Sequence, residues 1–264
     1  MAAQRLVVTR PAAQAAAWVQ ALREAGCDAV ALPLIDILPA RDTAPVEAAW
    51  RALPQAALAM FVSANAVERF FAARPGTPGE VVPHGAWPPG VLAGSTGAGT
   101  AAALAQAGVP RAQVVSPAAG DRAESESLWR QLEGRPWQGR RVLVLRGEDG
   151  RDWLAERLRD AGAEVEFVTV YRRAVPVLDG PGRAVLAQAL ADPAAHAWLF
   201  SSSQAVAHLG ALAPSAASGG ACALVTHPRI AQAAREAGFG RVAEVEGTVN
   251  GVAQGWARLQ SAPS

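Results

Sequence analysis

The chain has 264 residues and no lysine, all 24 basic positions being arginine. That absence removes Schiff-base chemistry, a pyridoxal phosphate site and the phosphate-gripping lysine of Walker-type loops. Cysteine is nearly missing as well. Cys27 and Cys222 are the two present. They are too few for a disulfide framework and too far apart for a zinc ligand pair, so they read as buried thiols of a cytoplasmic protein. The four histidines and eight tryptophans follow no metal-binding or base-stacking spacing, so no metal site is expected. No apolar run approaches the roughly 18 residues of a membrane span. The opening stretch, "MAAQRLVVTR", lacks the basic-then-apolar layout of a signal peptide. With a net charge of +1, the chain has no bulk attraction for nucleic acid or for a membrane surface.

What remains is a globular composition, 51% hydrophobic and 18% charged, long enough for one large domain or two small ones. Its clearest feature is internal repetition. Residues 5–40 align without gaps on residues 141–176, an offset of 136 that sets Arg10 on Arg146, Leu22 on Leu158 and Gly26 on Gly162. Each copy reads as a β-rich run, an amphipathic helix with a glycine stop, and a second β-rich run. That is a βαβ unit, with parallel strands and a right-handed crossover. "AMFVSANAVERFF" (59–71) then repeats as "AWLFSSSQAVAHL" (197–209) at offset 139, and 91–108 repeats as 221–238 at offset 130. Both halves therefore carry the same three strand–helix units in the same order, which predicts two parallel-sheet α/β domains. The Pro-containing segments "IDILPA" (35–40) and "YRRAVPV" (171–177) read as linkers. Two arrangements stay open: simple tandem domains, or an interleaved pair. In the interleaved pair residues 38–172 form an inserted domain and 1–35 joins 176–264 in the other, with linkers near 36–40 and 172–176 forming a two-stranded hinge beside a cleft.

In parallel α/β sheets, ligands bind beyond the carboxyl ends of the strands, where helix N-termini offer free N–H groups. Those ends read "TRP" (9–11), "SANA" (63–66), "TGAGT" (96–100), "RGEDGR" (146–151), "SSSQA" (201–205) and "THPRI" (226–230). The candidates for gripping an anion are Arg10, Ser63, Ala64, Asn65, Gly97, Thr100, Arg146, Gly147, Arg151, Ser201, Ser202, Ser203, His227 and Arg229. Hydroxyls and small residues also suit helix caps, and the arginines suit solvent equally well. "GAGTAA" (97–102) fits a dinucleotide fingerprint, but no acidic residue closes the next strand and its twin around His227 has lost the glycines. "AGSTG" (93–97) is only a loose relative of a nucleophile elbow. Tyr171, the single tyrosine, replaces Ile35 of the first copy. Its phenol can donate a proton or simply pack.

Taken together, "LVVTRP", "FVSANAV", "GAGTAAAL", "VLRGEDGRDWLAERLRDAGAEVEFVTVYRR", "FSSSQAV" and "THPRIAQAAREAGF" resemble the uroporphyrinogen-III synthase family over nearly the whole chain. The resemblance implies the interleaved two-domain fold and an enzyme that needs no metal or organic cofactor. Its implied substrate is a linear tetrapyrrole with eight carboxylates, hydroxymethylbilane, which loses water and closes with its last ring inverted. It places Tyr171 as the group assisting loss of the hydroxyl, and Thr100, Ser63 and Ser202 as strand-end hydroxyls on the substrate. A second family threonine is replaced by the run from His227 to Ile230, so His227 and Arg229 are expected to supply those contacts. Apart from the resemblance, the lack of heptads and of an obvious exposed apolar face predicts a monomer, cytoplasmic as its thiols indicate, with transient hand-over of substrate from hydroxymethylbilane synthase as a further expectation. The rival reading is a two-lobed binding protein for an anionic small molecule, without catalysis.

Overall fold

The computed structural model describes residues 5–76, 87–117, 124–148, 150, 152–214, 216 and 220–261. The chain opens with β1 (Arg5–Val8), α1 (Ala12–Glu24), β2 (Ala29–Ala31) and β3 (Asp36–Pro39). It continues through α2 (Ala44–Ala52), β4 (Leu58–Phe61), α3 (Ala64–Ala72), β5 (Leu92–Ser95), α4 (Ala98–Gln106), β6 (Val114–Val115) and α5 (Glu124–Leu132). The second copy of the leading unit follows as β7 (Arg141–Gly147), α6 (Trp153–Asp160) and β8 (Glu164–Ala174). The last stretch is α7 (Gly180–Ala191), β9 (His196–Phe200), α8 (Ser203–Leu212), β10 (Cys222–Val225), α9 (Pro228–Glu236), β11 (Arg241–Glu244) and α10 (Val249–Ser261).

These elements form two compact units, one comprising Met1–Asp36 with Ala174–Ser264 and the other Ile37–Arg173. The first holds a five-stranded sheet in the order β11-β10-β9-β1-β2, and the second a six-stranded sheet in the order β3-β8-β7-β4-β5-β6. Set side by side, the orders match strand for strand under the sequence repeat: β1 with β7, β2 with β8, β9 with β4, β10 with β5 and β11 with β6. Each unit therefore combines the leading βαβ of one half of the chain with the trailing strands of the other half. β3 is the extra member, lying beside β8, so residues 36–39 and 171–174 of the two segments that read as linkers lie in strands.

The local reasons are simple. Gly26, Gly108, Gly162 and Gly238 end α1, α4, α6 and α9 with φ of +84°, +83°, +92° and +102°. That left-handed conformation is one a side chain with a Cβ resists. Parallel strands covered on both faces are apolar along their whole length. Every residue of β4 and β9 is buried accordingly. On β7 the side chains alternate: Val142 and Val144 pack with Leu154 and Leu158 of α6, while Leu143 and Leu145 pack on the opposite face with Phe70, Leu104 and Tyr171. In the first unit Leu6, Val8, Leu199 and Leu224 form the corresponding layer under α1 and α10. Trp198 is fully buried and Trp153 packs against a core layer, so both serve the packing of the sheets. Both cysteines are free and buried, and burial raises the Cys27 thiol above its ordinary pKa. Among the described residues, no helix is long and apolar enough to cross a membrane.

Candidate active site at the strand ends

In the second unit the turns after β4, β5, β7 and the end of β8 lie at the carboxyl side of one parallel sheet. Ser63 caps α3, its Oγ accepting from the Ala66 N–H at 3.2 Å. Its own hydroxyl proton then points to the Tyr171 oxygen, 3.4 Å away. Ala64 opens the helix, and Asn65, buried at 9% exposure, stands next to it. Gly97 is the cap residue of α4 and offers no side chain there. Thr100, three residues on, is 5% exposed, with its hydroxyl 3.4 Å from that of Thr96. Thr96 in turn donates to the Val62 carbonyl at 3.1 Å, tying the two neighbouring turns together.

Tyr171 itself is 1% exposed and belongs to the hydrophobic core. A register shift between Arg146 and Gly147 brings Gly147 opposite Tyr171 in the β7–β8 ladder. A Cβ on Gly147 would fall 2.9 Å from two carbons of the phenol ring and 3.2 Å from its oxygen. Gly147 is thus the floor on which the ring lies, a reason for glycine that sequence inspection gives no hint of. Arg173, absent from the sequence-based candidates, sends Nη2 to within 3.3 Å of the same phenol oxygen. Its alternation with Tyr171 along β8 was the available signal, because residues two apart share a face.

The first unit presents the matching turns. Ser202 caps α8, accepting from the Gln204 N–H at 3.2 Å, with Ser201 before it and Ser203 opening the helix. His227 caps α9, its Nδ1 accepting the Arg229 N–H at 3.1 Å. A ring nitrogen that accepts must be unprotonated, so in the neutral imidazole the proton sits on Nε2, a donor on an exposed side chain. The Arg229 side chain is exposed as well.

The repeat-related arginines differ instructively. The Arg146 guanidinium forms an ion pair with Asp152 and donates to the Gly150 carbonyl at 3.1 Å. Its charge is answered within its own turn. Arg10 lies 3.8 Å over the Trp18 ring and donates to Gln14 at 3.3 Å. Its Nε is buried without a hydrogen-bond partner, and no carboxylate pairs with it among the described residues. Burial lowers its pKa from the ordinary arginine value, the mark of a cation stripped of water with no anion in return. Arg151 lies outside the described residues.

No group of three or more His, Cys, Asp or Glu that could hold a metal ion occurs among the described residues. What the described turns offer instead is hydroxyls, helix N-termini, the Arg10 guanidinium without a carboxylate partner, and a shielded phenol. The chain is thus a two-unit α/β protein whose strand-end turns carry helix N-termini and hydroxyls, groups that suit anions. A family model described as uroporphyrinogen-III synthase matches residues 16–253. The uroporphyrinogen-III synthase of Salmonella typhimurium is 31% identical over 182 residues, 68% of this chain and 69% of that protein. That of Escherichia coli is 31% identical over 187 residues, 70% and 71% of the two chains. Two solved structures share the fold. A mutant uroporphyrinogen III synthase from Thermus thermophilus gives a TM-score of 0.54 at 21% identity, over 97% of this chain and 98% of that one. The Helicobacter pylori uroporphyrinogen-III synthetase gives 0.54 at 14%, over 97% and 99%. The chain belongs to the uroporphyrinogen-III synthase family, cyclising lyases of tetrapyrrole biosynthesis.

Proposed function

We propose that the chain closes hydroxymethylbilane to uroporphyrinogen III, with Tyr171 as its proton donor. The phenol proton passes to the departing hydroxyl oxygen as the carbon–oxygen bond breaks, and water leaves. The resulting azafulvene is attacked by the already substituted carbon of the last pyrrole to give a spiro intermediate. Fragmentation and reclosure then invert that ring, and the proton released as the pyrroles regain aromaticity returns to the phenolate. The observation that supports this most is the state of Tyr171: one hydroxyl in an otherwise apolar layer, its oxygen engaged by two donors. A general acid held in that way needs no further ionisable partner to keep it aimed.

Each unit offers groups suited to the substrate's carboxylates: the N-termini of α3 and α4 with Ser63 and Thr100 in one, and the N-termini of α8 and α9 with Arg10, Ser202, His227 and Arg229 in the other. Helix N-termini and the unpaired Arg10 suit anions at several points at once, and folding the chain into the closing geometry supplies much of the catalysis. Arg146 is engaged by Asp152 and acts on the turn rather than on the substrate. We further infer a cytoplasmic monomer supplied by transient hand-over from hydroxymethylbilane synthase. Val175 and Val177 are the exposed large hydrophobics among the described residues, too little apolar surface for a permanent partner.

The test is an isomer analysis. Freshly generated hydroxymethylbilane is given to the purified protein with no added cofactor, the product is oxidised, and types I and III are resolved by chromatography. Predominantly type III is expected. Only type I, as in a protein-free control, would overturn the assignment. Light scattering checks the oligomeric state, where a dimer mass would refute the monomer.

A further inference from the structure

The hydrogen bonds around the Tyr171 oxygen do not balance in an ordinary way. A phenol oxygen has one proton to give and can accept from donors. Here Ser63 donates to it at 3.4 Å, while the Ser63 oxygen itself accepts from the Ala66 N–H. Arg173 donates at 3.3 Å, and a guanidinium can do nothing else. Among the described residues, no protein group accepts the phenol's own proton. The Arg173 guanidinium carbon also stands 5.6 Å from the centroid of the Tyr171 ring. Both donor distances are long, which is usual where catalytic hydrogen bonds tighten only with substrate bound.

From this we infer that Arg173 is a positioning residue for Tyr171: its guanidinium and the Ser63 hydroxyl fill the acceptor side of the phenol oxygen, leaving the phenolic proton to be delivered to the substrate. The inference rests on Tyr171 being the proton donor. When the proton leaves, the negative charge appears on the very atom that Arg173 already faces, so the contact strengthens in the transition state more than in the ground state. Interactions of that kind raise kcat and leave KM alone. The proton account is closed: the Tyr171 O–H bond breaks as water forms, Arg173 keeps all its protons throughout, and the phenolate is reprotonated when ring closure releases a proton. An arginine that instead gripped a substrate carboxylate would show the opposite split, in KM.

The single tyrosine makes a direct measurement possible. Tyrosine labelled with carbon-13 at Cζ gives one resonance, whose position reports hydrogen bonding to the phenol oxygen. Arg173→Ala should move it, while Arg172→Ala, one residue away along β8, should leave it in place. An unmoved resonance in Arg173→Ala would overturn the inference before any kinetics. In turnover, Arg173→Ala should lower kcat about tenfold, equivalent to ~1.4 kcal/mol in the barrier, with KM little changed. Arg173→Lys should recover part of that loss. In a Tyr171→Phe background, Arg173→Ala should cost almost nothing more. A second full loss in that background, or a loss residing in KM, would mean that Arg173 acts on the substrate directly and would sink the inference while Tyr171 kept its role. Full activity of Tyr171→Phe alone would remove both.

Discussion

Replacing Gly147 with alanine adds one methyl group beneath the Tyr171 ring. The new carbon would lie 2.9 Å from Cε2 and Cζ and 3.2 Å from the hydroxyl, whereas carbon atoms rest comfortably at about 3.5–4.0 Å. The ring must therefore retreat by roughly half to one ångström. It has little room to do so, since Tyr171 is 1% exposed and packed among Leu143, Leu145, Val168 and Val170. Overpacking of this kind costs about 1–3 kcal/mol, and for a chain of this size each kcal/mol lowers Tm by about 2–4 °C. The larger effect is on turnover. A misplacement of about 1 Å at a reacting group can cost on the order of a hundredfold in rate, so kcat for type III product should fall by roughly that factor while KM changes little. Kinetics run well below the measured Tm separate the two effects. A Gly147→Ala protein with unaltered kcat would refute the reasoning, because Tyr171 would then either tolerate displacement or take no part in the chemistry.

The two repeat-related arginines should separate cleanly. Arg10→Ala is expected to raise KM by about 10- to 100-fold, the loss of a charge-assisted hydrogen bond of ~1.5–3 kcal/mol, and an unchanged KM would remove it from binding. Arg146→Ala should instead lower stability by about 0.5–1 kcal/mol, the worth of a partly exposed ion pair, seen as a lower Tm with KM unmoved. His227→Ala should remove the cap of α9 and cost about 1 kcal/mol, while His227→Asn keeps a capping oxygen and most of that stability. Cys27, whose thiol is pushed up by burial, should react slowly with a disulfide reagent in the native protein and fast once unfolded. The sign for stability follows: the unfolded thiol ionises at lower pH than the folded one. The contribution is therefore complete below the ordinary thiol range and lost as pH climbs toward the raised value. Tm measured across alkaline pH should fall for the wild type, and this component should vanish in Cys27→Ala.

Much of this protein is legible before any coordinates. Glycine positions and apolar periodicity mark the βαβ units because both are local: a stop needs left-handed backbone, and a covered strand needs apolar side chains on both faces. The repeat then sets two sheets of like order, and the run of small and hydroxyl residues at the strand ends points to an anion before any geometry is known. Tertiary structure decided which of those residues are engaged and with what. Arg10 and Arg146 occupy the same place in the repeat, yet Asp152 answers one charge and leaves the other unanswered. Ser63 and Ser202 look alike in sequence, and both cap helices, but only Ser63 has Tyr171 across the sheet to receive its proton. Gly147 reads as room for a ligand and proves to be room for a phenol ring, set there by a one-residue register shift between two strands. Arg146 and Asp152 are six residues apart, but the last two distinctions come from contacts between segments 24 and 108 residues apart in the chain. Such contacts depend on how the strands pair and register, which the residue types at either end do not specify on their own.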